Sequence, residues 1–194
     1  MKSVPLPTLP AWGRDYRSGG SCDAEAVARE IFQGRLISVR VDERGFELVS
    51  HPPAVVIVAV EQSGRVWLVR SRRPVPEKTL VEVPAGLVDP GESPAEAARR
   101  ELHEECGLEA DSWEELASAY SSPGFSDERI HVYLATEVRN VGGQEPPGAV
   151  EESLTADMQE ALRLCSGNLQ SLAALLLASR RLALGAARDI RDNS

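Results

Sequence analysis

The sequence predicts an α/β fold in which a mixed sheet lies between layers of helices. Three segments favour it: a continuous apolar run at residues 54–60, a capped helix at 93–107, and a Leu- and Ala-rich helical pattern at 153–188. The apolar run is short and rich in Val, which is typical of a central buried strand. Strands mixed with two or three helices then indicate a sandwich architecture.

The segment before the central strand is predicted to form a small antiparallel strand subdomain. Residues 1–20 contain three prolines and form an irregular lead-in. Residues 31–49 alternate apolar and polar side chains around the turn sequence Asp-Glu-Arg-Gly, which predicts a hairpin of half-exposed strands. We therefore expect the strand subdomain to span residues 21–52.

The helix at the centre of the chain has clear start and stop signals. Ser93 is a good N-cap, Pro94 suits the first helical position, and Glu96 stands where a capping box needs its acid. Gly107 is placed to end the helix in a left-handed conformation. These local signals fix the helix bounds more firmly than those of any other element.

Further strands are predicted on both sides of this helix. Each is a short apolar or alternating run bounded by turn residues. A Gly- and Pro-rich break at 142–148 then precedes the C-terminal helical pattern, which is interrupted near Gly167. The predicted strands lie at residues 66–69, 80–83, 113–120 and 130–137.

Composition restricts the partners and the compartment. The 194 residues include 30 acidic and 21 basic ones, for a formal net charge of −9. Because non-specific nucleic-acid binding relies on Lys and Arg, we do not expect nucleic acid as a partner. Three scattered cysteines without a C-x-x-C pair indicate free thiols in a reducing cytosol. No signal peptide or bilayer-length apolar run is recognisable, so we expect a soluble cytoplasmic protein without a membrane partner.

Three carboxylates share one face of the predicted helix. Glu105 and Glu104 stand four and three residues after Glu101, so all three project within roughly 100° of arc. Like charges at this spacing repel and destabilise a helix. Hard divalent cations prefer carboxylate oxygens and would neutralise the cluster. The pattern therefore predicts a cation site.

The residues around these acids carry a family resemblance. Gly86 is followed after five residues by Glu92, and seven residues later by the run Arg-Glu-Leu-x-Glu-Glu-x-Gly-Leu at 100–108. This pattern resembles the signature of the Nudix hydrolases at every specified position. The resemblance implies a Nudix-type α/β/α sandwich over residues 53–188. It also implies two or three Mg²⁺ or Mn²⁺ ions, which support hydrolysis of a nucleoside diphosphate linked to another group.

The same resemblance implies a role for each motif residue. Glu101 and Glu105 would be the main metal ligands, with Glu104 and the backbone carbonyl of Ala85 assisting. Glu104 and Glu105 are thereby also catalytic. Structural roles are implied for Arg100, which would orient one metal carboxylate through a bidentate pair, for Glu92 at the helix start or as a distant ligand, and for the conformational glycines Gly86 and Gly107.

A second resemblance concerns the loop between the predicted strands at 113–120 and 130–137. Pro123 follows Gly107 by sixteen residues and lies in the sequence Ser-Pro-Gly-Phe-Ser-Asp-Glu-Arg at 122–129. This loop, together with Glu-Val-Pro-Ala-Gly at 82–86, resembles the ADP-ribose pyrophosphatase branch. That branch implies that Glu128 helps to activate the attacking water. The alternative is an exposed loop acid paired with Arg129.

Substrate contacts are predicted for Arg73, Glu82, Gly86, Pro123 and Phe125. Related enzymes often have Gln-Tyr-Arg where this chain has Ser-Arg-Arg at 71–73, so Arg73 is the matching position. For each of three residues an alternative stays open: Arg73 in a solvated basic turn, Glu82 facing water, and Phe125 packed under its loop. The three histidines form no recognisable arrangement with Ser or Cys, so histidine chemistry is not predicted.

The leading functional hypothesis is hydrolysis of ADP-ribose to AMP and ribose 5-phosphate. Other nucleotide sugars or dinucleotides, such as GDP-mannose or NADH, are the alternative substrates. A regulator that binds the metabolite without cleaving it is a further alternative, disfavoured because the motif is complete. By analogy with the branch, the N-terminal strand subdomain would exchange between protomers of a homodimer with a shared active site.

Overall fold

The computed structural model describes residues 29–142 and 150–192, with side chains up to residue 185. The predicted lead-in at 1–20 and almost all of the predicted break at 142–148 lie outside the described residues. The strands are β1 Arg29–Gln33, β2 Ser38–Val41, β3 Glu47–Ser50, β4 Ala54–Ala59, β5 Val66–Arg73, β6 Lys78–Glu82, β7 Ala85–Leu87, β8 Leu108–Tyr120, β9 Arg129–Asn140 and β10 Val150–Ala156. The α-helices are α1 Pro94–Cys106, α2 Met158–Leu164 and α3 Leu169–Asp192.

The central sheet has the strand order β7-β4-β9-β8 and is mixed. Strands β4 and β9 are parallel, while β7 and β8 pair antiparallel with their neighbours. All six residues of β4 are buried, which confirms the prediction of a central strand. Side chains of β4 alternate between the two faces of the sheet. Those on one face pack with α1 and those on the other pack with α3, so the α/β/α sandwich is confirmed.

The N-terminal strands form a three-stranded antiparallel sheet in the order β1-β2-β3, where the sequence predicted a hairpin. The predicted turn between β2 and β3 is present, and Asp42 Oδ1 accepts hydrogen bonds from the amides of Arg44 and Phe46. The missed feature is an earlier turn, closed by the Gly34 N–H bonded to the Ile37 carbonyl. The adjacent apolar pair at 31–32 obscured it, because the pair breaks the alternation and the register shifts there.

The third sheet has the order β10-β5-β6 and corrects the predicted start of the C-terminal helices. Residues 153–156 belong to β10, which pairs antiparallel with β5. Helix α2 begins only after Asp157, whose side chain accepts a hydrogen bond from the Glu160 amide as an N-cap. The predicted helical pattern, which started at residue 153, therefore began five residues too early. Similarly, β8 begins directly after the helix at Leu108, earlier than the predicted 113.

No helix within residues 29–142 and 150–192 combines the length and the apolar character that a membrane crossing requires.

Candidate active site

Helix α1 is held by the capping signals that its sequence predicted. The Ser93 hydroxyl accepts a hydrogen bond from the Glu96 amide at 3.3 Å, and the Glu96 carboxylate accepts one from the Ser93 amide at 2.8 Å. Gly107 ends the helix with φ of 65°, in the left-handed region that glycine adopts freely. Leu102 faces the core with no exposed surface. The buried face fixes the rotation of the helix, and Glu101 and Glu105 lie against strand β7.

Arg100 donates hydrogen bonds to several carboxylates around this face of α1. Its Nε and Nη2 each donate at 3.0 Å to the two oxygens of Glu92, so the bidentate pair is with Glu92 and not with a predicted metal ligand. Nη1 donates to Glu101 at 2.6 Å and to Glu104 at 3.3 Å. Nη2 also donates to the Leu87 carbonyl at 2.9 Å. The Arg100 hydrogen bond lowers the pKa of Glu92 below its ordinary value.

Glu101 lies in a cradle that only glycine permits. An added Cβ at Gly86 would fall 2.0 Å from the Glu101 carboxyl carbon, far inside van der Waals contact. Burial raises the pKa of Glu101, and the Arg100 hydrogen bond opposes that shift. The predicted importance of Gly86 therefore has a local cause, because its missing side chain is the space that the carboxylate occupies.

Glu105 is the most deeply buried acid of the helix. Its Oε2 accepts a hydrogen bond from the Ala85 amide at 3.0 Å. Burial, reinforced by the negative charge of Glu101, raises the pKa of Glu105 to about 8 even though the Ala85 amide favours the anion. The ionised carboxylate is therefore unfavourable in this position unless a positive charge lies nearby.

The acids of α1 fit a hard divalent cation by chemistry, while their present arrangement favours Arg100. Within residues 29–142 and 150–185, no three His, Cys, Asp or Glu side chains converge as a preassembled cation site. The reason is that Arg100 holds Glu101 and Glu104, whereas Glu105 turns toward the Ala85 amide. Carboxylate oxygens with little access to water are nevertheless suitable donors for Mg²⁺ or Mn²⁺.

Glu128 lies at the end of the loop between β8 and β9, and its neighbour is His51. The two side chains are each 18% exposed, and His51 Nδ1 lies 3.4 Å from Glu128 Oε1. Arg129, the alternative partner, instead places its guanidinium 5.0 Å from the centre of the Tyr120 ring. The interpretation of Glu128 as an exposed acid paired with Arg129 is therefore wrong.

The loop of Glu128 and the strand of Ala85 flank the same end of β4. Ala54, the first residue of β4, pairs with Leu87 on one side and with Ile130 on the other. The Leu87 carbonyl accepts a hydrogen bond from Arg100. Glu128 and the Leu87 end of β7, which Arg100 contacts, therefore lie toward the same end of β4.

Arg73 and Glu82, both predicted substrate contacts, bind each other. Arg73 donates through Nε at 2.8 Å and Nη2 at 2.6 Å to Glu82 Oε2. Asn168 Nδ2 donates at 2.6 Å to the other oxygen, Oε1. Glu82 is 1% exposed, so the alternative in which it faces water is wrong. The Arg73 side chain keeps 40% of its surface exposed, so it can reach solvent from this anchor.

Pro123 and Phe125 lie together at a shallow surface cavity of about 260 Å³ between the loop and the N-terminal sheet. Phe125 is 55% exposed, so the alternative in which it packs under its loop is wrong. The loop is attached to β3, since the Val49 amide donates to the Phe125 carbonyl at 2.7 Å. Other residues that line the cavity are Arg40, Leu48, Tyr120 and Asp127.

A family model matches more than half of this chain. The family model described as the NUDIX domain matches residues 50–172. The chain belongs to the Nudix family. The sequence-based interpretation of a Nudix hydrolase is therefore confirmed, and the acidic segment of α1 is its Nudix helix.

Three relatives illustrate the range of names within the family. The ADP-ribose pyrophosphatase of Bacillus subtilis is 39% identical over 61% of this chain and 69% of its own length. The ADP-ribose pyrophosphatase of Mycobacterium tuberculosis is 44% identical over 63% of this chain and 64% of its own length. The methanol dehydrogenase activator of Bacillus methanolicus is 36% identical over 68% and 74%, respectively.

A solved structure supports the fold. The crystal structure of an ADP compounds hydrolase superposes with a TM-score of 0.65, covering 80% of this chain and 91% of that one at 23% identity. At this identity the likeness concerns the Nudix fold alone.

Two residues near the predicted site were missed by the sequence reasoning. Asn168 follows the predicted helix break and binds Glu82, and His51 precedes the central strand and contacts Glu128. Both contacts join segments that are distant in sequence. The one sequence signal for each residue is its position: His51 lies shortly before the central strand, and Asn168 directly follows the helix break at Gly167.

We predict that Arg73→Ala destabilises the protein by about 1–3 kcal/mol, because it leaves a buried carboxylate with one fewer donor. Urea denaturation measures the change. Arg72→Ala is the matched control, since Arg72 is exposed on the same strand, and should stay within roughly 0.5 kcal/mol of the wild type. A second substitution, Glu82→Gln, should recover part of the Arg73→Ala loss. Equal stability of Arg73→Ala and the wild type would contradict a structural ion pair.

Proposed function

We propose that this chain hydrolyses the pyrophosphate of ADP-ribose to AMP and ribose 5-phosphate with the help of Mg²⁺ or Mn²⁺. The observation that carries the proposal is a pair of largely buried acids on the Nudix helix. Glu101 lies against Gly86, and Glu105 accepts a hydrogen bond from the Ala85 amide. The choice of ADP-ribose is supported by the two relatives that are named ADP-ribose pyrophosphatase, at 39% and 44% identity.

The residues that would hold two or three ions are Glu101, Glu104, Glu105 and the carbonyl of Ala85. Bound divalent ions neutralise the charge of a pyrophosphate and lower the pKa of a coordinated water. Arg100 donates hydrogen bonds to Glu101 and Glu104 and shields their like charges from each other. Glu92 in turn fixes the guanidinium of Arg100 through its bidentate pair.

Glu128 is proposed as the general base. Water oxygen forms a bond to phosphorus while the bridging phosphorus–oxygen bond breaks, and a proton of the water passes to the Glu128 carboxylate. The two products leave as phosphate monoesters, and the proton is later released to solvent. The small exposed fraction of Glu128 protects this base from bulk water.

The predicted substrate contacts acquire different roles from their environments. Arg73 is proposed to bind a phosphate group, with Glu82 and Asn168 orienting it from beneath. Phe125 is exposed enough to stack on a ring of the substrate, and Pro123 shapes the loop beside it. Gly86 is proposed to contact the substrate through its backbone, since the Glu101 carboxylate fills the space that a side chain would take.

Homodimer formation through the strand subdomain at residues 21–52 is part of the proposal, with residues 53–188 as the hydrolase domain. It is supported by four half-exposed apolar side chains of the N-terminal sheet, which are Ile31, Phe32, Leu36 and Phe46. The net charge of −9 disfavours nucleic acid as a partner. Free, buried Cys106 and Cys165 suit a reducing cytoplasm, and we propose no membrane partner.

A hydrolysis panel tests the function directly. We expect the chain to cleave ADP-ribose in Mg²⁺ or Mn²⁺, to lose activity in a chelator and to regain it when the metal is restored. GDP-mannose and NADH complete the panel because residues 71–72 lack the Gln-Tyr that related enzymes have before Arg73. Faster turnover of either compound than of ADP-ribose would favour the second candidate substrate class. Tight binding without any turnover would favour a regulator.

A further inference from the structure

The loop that carries Glu128 is docked onto the end of β3 by three hydrogen bonds. The Val49 amide donates to the Phe125 carbonyl at 2.7 Å, and the Asp127 amide donates to the Val49 carbonyl at 3.1 Å. The His51 amide donates to Asp127 Oδ1 at 2.8 Å. The backbone of the loop is therefore registered against residues 49–51, which leaves the side-chain torsions of Glu128 as the remaining freedom.

The His51 imidazole has a defined orientation. Its Nδ1 lies 2.7 Å from the Pro52 carbonyl oxygen, which can only accept a hydrogen bond. Nδ1 must therefore carry the proton, and this assignment follows from the partner. The same nitrogen lies 3.4 Å from Glu128 Oε1, and both side chains are mostly buried. The hydrogen bond to Pro52 fixes the ring, and the polar Nδ1–H lies beside the Glu128 carboxylate at ion-pair distance.

We propose that His51 is a positioning residue for Glu128: its imidazole, anchored on the Pro52 carbonyl, lies against Oε1 and attracts it electrostatically, which leaves Oε2 free to take the proton of the attacking water. The backbone of Glu128 is fixed at both ends, because its amide donates to Ser126 Oγ at 3.2 Å and its carbonyl accepts from the Ser121 amide at 3.1 Å. A Glu side chain keeps three rotatable bonds beyond such a backbone, so a side-chain contact is needed to aim it.

This inference rests on the proposed function of Glu128 as the general base. His51 does not touch the reacting atoms, and its effect should therefore appear in kcat and leave the KM for ADP-ribose nearly unchanged. A misplaced base costs up to about a hundredfold in rate, even when the displacement is near one ångström. The contact also links Glu128 to the N-terminal sheet, since His51 directly follows β3.

The test uses two replacements of similar shape, both branched at Cγ. His51→Asn keeps an N–H donor near the position of Nδ1, whereas His51→Leu is comparable in size to His and has no donor. We expect His51→Leu to lower kcat by about 10- to 100-fold with KM changed less than about threefold. His51→Asn should recover kcat to within about threefold of the wild type, at equal thermal stability of the two variants.

A double-mutant cycle separates positioning from simple packing. In a Glu128→Gln background, His51→Leu should lower kcat by less than about twofold, because the group that it positions is no longer a base. His131→Asn, which removes the imidazole that contacts Glu115, is the control and should keep normal kcat. Independent, multiplicative losses in the cycle, or equal kcat for His51→Leu and the wild type, would overturn the inference. A wild-type chain inactive on ADP-ribose would overturn the proposed function first.

Discussion

Replacement of Glu105 by Gln should lower ADP-ribose turnover on the order of a thousandfold while leaving the fold intact. Gln retains an oxygen that can accept the Ala85 hydrogen bond, so the contact between α1 and β7 survives. What is lost is a negative charge that would hold a cation, and several kcal/mol of transition-state stabilisation depend on such a charge. Steady-state turnover with saturating Mn²⁺ measures the effect, and circular dichroism checks the fold.

The same substitution should stabilise the protein when metal is absent at pH 8. The pKa of Glu105 is about 8 in the folded chain against 4.5 as its ordinary value, so between these limits the folded state binds more protons than the unfolded state. Metal-free stability must then fall as the pH rises through this window. Glu105→Gln removes the penalty, and urea denaturation at pH 5 and pH 8 in a chelator should show a flatter dependence than the wild type.

Glu104→Gln is the matched control for both measurements. Its side chain is 39% exposed, so the substitution relieves little burial of charge. We expect Glu104→Gln to lose turnover by orders of magnitude without the gain in metal-free stability. A Glu105→Gln variant that retains full turnover would contradict the proposed cation site. One that is less stable than the wild type at pH 8 would contradict the burial of an uncompensated charge.

The Nudix helix could be predicted from sequence because its signals are local. The Ser93 and Glu96 capping pair and the Gly107 stop lie within the helix or beside it, and each works through neighbouring backbone groups. The central strand was equally accessible, since a run that is buried on both faces needs no partner to be recognised. The positions of the acids on α1 follow directly from helical periodicity.

Contacts between distant segments could not be predicted in this way. Asn168 and Glu82 are 86 residues apart, and nothing near either residue indicates the other. Residues 153–156 of β10 were predicted as the start of a helix because the pairing of β10 with β5, which defines the strand, is a tertiary contact. The partner of the Arg100 bidentate pair was not predicted for a related reason. The sequence-based interpretation directed this pair to a metal carboxylate, whereas Glu92, eight residues away, accepts it in the structure.

Gly86→Ala should separate the position of one carboxylate from the stability of the fold. The added Cβ would lie 2.0 Å from the carboxyl carbon of Glu101, so one of the two must move. The backbone of Gly86 is paired with Val55 in the central sheet and cannot easily shift. The Glu101 carboxylate is the far end of a flexible side chain and will give way instead. Since Gly86 lies outside the left-handed region, alanine adds no backbone strain.

The expected result is a large loss of function with a small loss of stability. We predict that the variant binds Mn²⁺ at least about tenfold more weakly and has about a hundredfold lower kcat, because Glu101 is turned away from the other acids. Calorimetric Mn²⁺ titration and steady-state kinetics measure these effects, and thermal unfolding should change little. Gly185→Ala is the control, since its Cβ would approach only the Arg181 guanidinium, at an ordinary 3.5 Å. If Gly86→Ala instead unfolds at a much lower temperature but binds Mn²⁺ normally when folded, the backbone yields and the carboxylate stays, so the contact between Gly86 and Glu101 would be structural.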